Sequence, residues 1–124
     1  MRLHCVQHVP FEDAANIACW ADEHGFPISR TLLGTAPLPS HDSYDWLVIL
    51  GGPMSVHQQD RYPWLADEKV FIRQAIAREK IVLGVCLGAQ LLAEILGGQV
   101  TRNPQREIGW FPVRLTEDAC RSHL

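Results

Sequence analysis

The chain has no long apolar run near its start. MRLHCVQHVPFED meets polar residues within a few positions, so neither a signal peptide nor a membrane anchor is expected there. Cysteine is sparse and unpaired: Cys5, Cys19, Cys86 and Cys120 stand far apart, with no C-x-x-C and no Cys/His spacing that suits zinc. Four reduced thiols, no metal and a cytoplasmic setting follow as expectations. Basic excess is absent too, with 11 Lys and Arg against 14 Asp and Glu, which argues against a nucleic-acid partner. Neither Gly-rich phosphate fingerprint is present, and no cofactor is implied. There is no internal repeat and no low-complexity segment. What remains is 47% hydrophobic and 20% charged, the balance of a folded chain rather than a disordered one, and residues 1–124 form at most one domain.

The most informative stretch is IVLGVCLGAQLLAEILGG, Ile81 to Gly98. Ile81, Val82 and Leu83 suit a strand buried on both faces of a parallel sheet. Gly84 and Gly88 bracket Cys86 as G-x-C-x-G, the thiol counterpart of the nucleophile elbow, where a strained turn needs neighbours without a Cβ. Leu87, Leu91, Leu92, Ile95 and Leu96 then recur at helical spacing up to Gly97-Gly98. Cys86 is placed at a helix N-terminus, where free N–H groups and the helix dipole favour the reactive thiolate. A small buried cysteine in a strand-helix turn is the plain alternative.

The rest alternates β and α. Leu3 to Val9 reads as a strand, with His4 and His8 on one face; lacking a third ligand at fixed spacing, the pair is read as structural. Glu12 and Asp13 open a helix that leaves at Gly25. Phe26 to Leu33 is a weaker strand. The Pro- and Ser-rich stretch from Gly34 to Ser43 is a surface connection. Trp46 to Leu50 is a central strand ending in Gly51-Gly52-Pro53. Ligands of open α/β sheets bind beyond the carboxyl ends of strands, where this glycine pair and Cys86 both fall, and the glycines let an N–H approach a substrate oxygen. Ser55 to Tyr62 reads as a mobile polar lip. Pro63 starts a helix with Asp67, Glu68, Lys69 and Arg73 on a solvated face. Gln99 to Thr101 and Ile108 to Leu115 read as a terminal hairpin, and Thr116 to Leu124 as a polar end. The fold class is α/β: an open, mostly parallel sheet with flanking helices.

LGGPMSV, RYPWLADEK, GVCLGAQLLAEILGG and NPQREIGWFPV together resemble the class I glutamine amidotransferases, over most of the chain from Tyr44 onward. The resemblance implies a flavodoxin-like fold. It implies that Cys86 attacks the glutamine carboxamide, giving a γ-glutamyl thioester and ammonia. It makes the N–H groups of Gly52 and Leu87 the oxyanion hole, and Gly51, Gly52, Pro53 and Gln90 the substrate-binding positions. Glu107 to Trp110 would edge the pocket, with Trp110 packing.

The partners so implied are glutamine and an ammonia-accepting synthetase. The family activates its cysteine with a downstream His-x-Glu, which these 124 residues do not contain. None of His4, His8, His24, His41, His57 and His123 matches that position. The expectation is therefore an incomplete domain, with the C-terminal part of the family fold missing. Weak activity alone and self-association through exposed apolar surface follow from it. Two other readings stay open: a different cysteine hydrolase with the same elbow, and a non-catalytic glutamine-binding or interaction module.

Overall fold

Four short segments become strands in the computed structural model, which describes residues 1–121. They are β1 (Leu3–Gln7), β2 (Ile28–Leu32), β3 (Trp46–Ile49) and β4 (Ile81–Gly84), all parallel and ordered β2-β1-β3-β4. The connecting helices are α1 (Ala15–Glu23), α2 (Trp64–Ala77) and α3 (Leu87–Ile95), with a four-residue α4 (Glu117–Cys120) near the end. Side chains alternate across each strand, so one sheet makes two cores. On one face Val6, Leu47 and Ile49 pack with Leu65, Ile72 and Ala75 of α2 and with Leu87 and Leu91 of α3. On the other, Leu3, Cys5, Val48 and Leu50 pack with Ala21 of α1.

The open parallel α/β sheet is the architecture the β-α alternation implied, and its element bounds lie close to those expected. Four local readings are corrected. Gln99 to Thr101 and Ile108 to Leu115 carry no strand; Ile108, Val113 and Leu115 are exposed, so alternating apolar residues there lacked a partner strand to pair with. Glu12 and Asp13 stand before α1 rather than in its first turn, and Asp13 instead accepts the Ala15 N–H at 2.9 Å.

Glu68 and Lys69 do not belong to a solvated face, since both are buried. Lys69 Nζ donates to the Val56 carbonyl at 2.9 Å and to Glu94 at 2.7 Å, which ties α2 to α3. The stretch from Ser55 to Tyr62 is not a loose lip. Val56 is fully buried, and turn bonds from Gln58 N to Ser55 O and from Tyr62 N to Gln58 O hold it down. His123 and the last residues of the expected polar end lie outside the described residues.

Candidate active site

The end of β3 assembles the site. The Ile49 carbonyl accepts the Val85 N–H at 2.9 Å, and a Cβ on Gly88 would run into that same carbonyl. A Cβ on Gly84 would lie 2.5 Å from the Gly88 carbonyl carbon. Residues without side chains let strand, turn and the first turn of α3 approach this closely. Between them Cys86 is the N-cap of α3 at φ 53°, ψ −109°. Non-glycine residues hold such a conformation at a cost of about 1–3 kcal/mol, and it points the thiol out of the core. Cys86 is exposed.

Gly51 faces the cysteine. A Cβ there would lie 3.4 Å from Cys86 Cβ, 4.0 Å from Sγ and 2.8 Å from Glu12 Oε2. Gly51 and Cys86 line a cleft of about 470 Å³ together with Phe11, Glu12, Asp13 and Asn16. That is room for a small molecule. A larger cavity of about 590 Å³ beneath α1 shares Asp13, Asn16 and Leu50 with it but does not reach Cys86.

Of the other expected site residues, Gly52 and Leu87 each present a backbone N–H that makes no hydrogen bond among the described residues. The Leu87 side chain is buried and anchors the elbow from inside. Pro53 and Gln90 are exposed and lie outside the cleft lining; the Gln90 N–H donates to the Cys86 carbonyl at 3.1 Å. Glu107 to Trp110 are exposed as well, and Trp110, expected to pack, is bare.

None of the hydrogen bonds of His4, His8, His24, His41 or His57 goes to Cys86. His4 Nδ1 pairs with Ser29 Oγ, His24 with the Trp20 carbonyl, His41 with Tyr44 and Gln74, and His57 Nε2 donates to the Val100 carbonyl. His8 comes nearest to the site without touching the thiol. Its Nδ1 donates to the Gly51 carbonyl at 2.9 Å, and its Nε2 meets Glu68 at 3.0 and 3.2 Å.

Sequence reasoning missed His8 and Glu68 as partners, and it missed Glu12 as a cleft residue. A histidine at a strand end and a glutamate on a helix sixty positions later carry no shared pattern. Among the described residues no helix is long and apolar enough to cross a membrane.

Residues 20–123 match the family model described as glutamine amidotransferase class-I. The glutamine amidotransferase-like protein YfeJ of Salmonella typhimurium is 40% identical over 129 residues, an alignment that takes in all of this chain and 54% of YfeJ. The glutamine-hydrolysing GMP synthase of Tolumonas auensis is 40% identical over 79 residues, 64% of this chain and 14% of that enzyme. The crystal structure of a glutamine amido transferase from Methylobacillus flagellatus superposes with a TM-score of 0.81 at 33% identity, covering 88% of this chain and 44% of that one. The chain thus spans about half the length of YfeJ and a smaller part of the other two.

Proposed function

This chain belongs to the class I glutamine amidotransferases, and from that premise we propose that it binds glutamine and that Cys86 opens the side-chain amide. The observation that carries the reading is an exposed thiol at a strained elbow, against Gly51 of a Gly-Gly loop; it is supported by the Gly52 and Leu87 N–H groups, which make no hydrogen bond among the described residues. The Cys86 sulfur attacks the amide carbon. The carbonyl oxygen becomes an oxyanion and takes hydrogen bonds from Gly52 N–H and Leu87 N–H. Collapse breaks the C–N bond, ammonia leaves with a proton taken up from the thiol or solvent, and a γ-glutamyl thioester remains until water releases glutamate. Gly51, Gly52, Pro53 and Gln90 are the substrate-side positions. A reducing compartment such as the cytoplasm keeps the thiol free. Exposed apolar surface provides for self-association or for docking an ammonia-using synthetase.

Residues 1–124 hold no His-x-Glu, the acid-base partner that the resemblance implies for Cys86, and for these residues by themselves we propose catalysis without that help, which is typically worth about 10²–10⁴ in rate. A steady-state ammonia-release assay tests the proposal. The expected result is slow release that depends on Cys86 and is abolished in Cys86→Ala. Turnover of a fully equipped glutaminase would contradict the deficit, and equal release from Cys86→Ala would contradict the nucleophile. A glutamine-binding module without turnover is the second reading, favoured by the same missing motif. Glutamine binding that is unchanged in Cys86→Ala, with no ammonia from either protein, would select it.

A further inference from the structure

The site leaves one buried polar pair without a chemical task. His8 follows β1, Glu68 lies inside α2, and both side chains are fully buried. A carbonyl oxygen only accepts, so the 2.9 Å contact with Gly51 places a hydrogen on His8 Nδ1. The Nε2 contact with the Glu68 carboxyl carries a second shared hydrogen. Burial by itself pulls the imidazole toward neutrality. The Glu68 hydrogen bond and charge, the Gly51 carbonyl and the Glu12 charge outweigh it and raise its proton affinity.

The ring also packs on the loop, because a Cβ on Gly52 would lie 3.0 Å from His8 Cβ and 3.3 Å from its Cγ. The Gly51–Gly52 segment is therefore flanked by His8 on one side and Cys86 on the other.

We propose that His8, oriented by Glu68, is a positioning residue that fixes the Gly51–Gly52 peptide so that the Gly52 N–H is held for the reaction at Cys86. This role for His8 follows from geometry and rests on the function proposed above. Among the described residues no peptide is cis, and in a planar trans peptide the C=O and N–H point in opposite directions. Holding the Gly51 oxygen on His8 therefore sets the direction of the Gly52 N–H. Two successive glycines have no side chains to hold them and would otherwise rotate freely. An oxyanion donor must be aimed before charge develops, and one that swings away is lost to catalysis.

The test uses the full chain and two double variants. His8→Leu/Glu68→Met removes the clamp and leaves no buried charge; His8→Asn/Glu68→Met restores a side-chain N–H near the Nδ1 position. Each is alkylated with a chloromethyl ketone analogue of glutamine, whose carbonyl becomes an oxyanion during reaction, and separately with iodoacetamide, which needs no such stabilisation. Labelling at Cys86 is read by mass spectrometry as the ratio of the two rates.

The ratio should fall about tenfold in the Leu variant, less than the full loss of an oxyanion donor, and recover in the Asn variant. An unchanged ratio in the Leu variant overturns the proposal. ¹⁵N relaxation of the Gly52 amide gives a second reading that needs no reaction: ordered in the parent, mobile in the Leu variant. If the parent itself shows no preference for the glutamine analogue, the assignment of Cys86 fails, and Gly52 relaxation still decides the clamp. A Gly52 that stays ordered without His8 overturns it. Should the Leu variant not fold, His8→Phe/Glu68→Met carries the same relaxation readout.

Discussion

His4 lies in the first strand and His8 just beyond its end, yet their environments act on their protons in opposite directions. Burial holds His4 down to about 4, with a Ser29 hydroxyl as its hydrogen-bond partner and no carboxylate. Between pH 6.5 and about 4 the unfolded chain therefore binds a proton at His4 that the folded chain refuses, and stability falls as pH falls through that window. The loss is at most roughly 3 kcal/mol, at about 1.4 kcal/mol per unit. His8 has the opposite sign: its raised affinity adds stability that is complete below the unfolded value and fades as pH rises through the folded one.

Urea unfolding of the parent and of His4→Gln should diverge between pH 6.5 and 4, with the variant losing less. Parallel loss would contradict the burial argument. The strand-helix turn at Cys86 was legible in the sequence, because G-x-C-x-G constrains the backbone around it. It did not show the clamp: Glu68 looked like one more charge among Asp67, Lys69 and Arg73, and only tertiary packing turns it inward beneath His8.

The elbow is one element in physical terms, since β4, the turn and α3 meet at the end of β3 through glycines with no space to spare. Gly88→Ala drives a methyl into the Ile49 carbonyl, and Gly84→Ala drives one into the Gly88 backbone. Each should destabilise the chain by several kcal/mol, as overpacking against backbone does. A fall of 10 °C or more in melting temperature is the expected sign for a chain of this size. A shift of only a degree or two would mean that the turn relaxes and that its glycines are not sterically required.

Lys69→Met removes the link from α2 to Glu94 and the Val56 carbonyl, and hydrogen exchange around Val56 should quicken while β1 stays protected. Exchange unchanged at Val56 would mean that the loop is held by its own turns. Strands and helices with long apolar patterns were legible because period alone fixes which face they bury. The stretch from Ile108 to Leu115 has the pattern of a strand but no neighbour in the sheet, and pattern without a partner does not make a strand.

Across the whole molecule, the two faces of the sheet are covered unequally. Register pairs Ile81 with Trp46 and Leu83 with Val48, which puts them on the face that α1 covers. At the edge strand that cover is lacking, and Ile81, Leu83 and Val85 remain 53%, 37% and 40% exposed in a row beside the elbow. Trp110 and Phe111 add apolar area elsewhere. Such a strip on a terminal strand favours self-association.

Sedimentation should show concentration-dependent oligomers that Ile81→Lys/Leu83→Lys shifts toward monomer. A monomer at all concentrations would contradict this. The resemblance implies exposed apolar surface but not its location, because Ile81 to Leu83 read as a strand covered on both faces.

If Cys86 opens the carboxamide of glutamine, a covalent intermediate forms on its sulfur, and that intermediate can be measured. The chain is incubated with isotopically labelled glutamine, quenched in acid, digested and analysed by mass spectrometry. The expected result is one glutamyl group on the peptide carrying Cys86, discharged by hydroxylamine and absent in Cys86→Ser. No adduct at Cys86, or an equal adduct at the exposed Cys19, would contradict it.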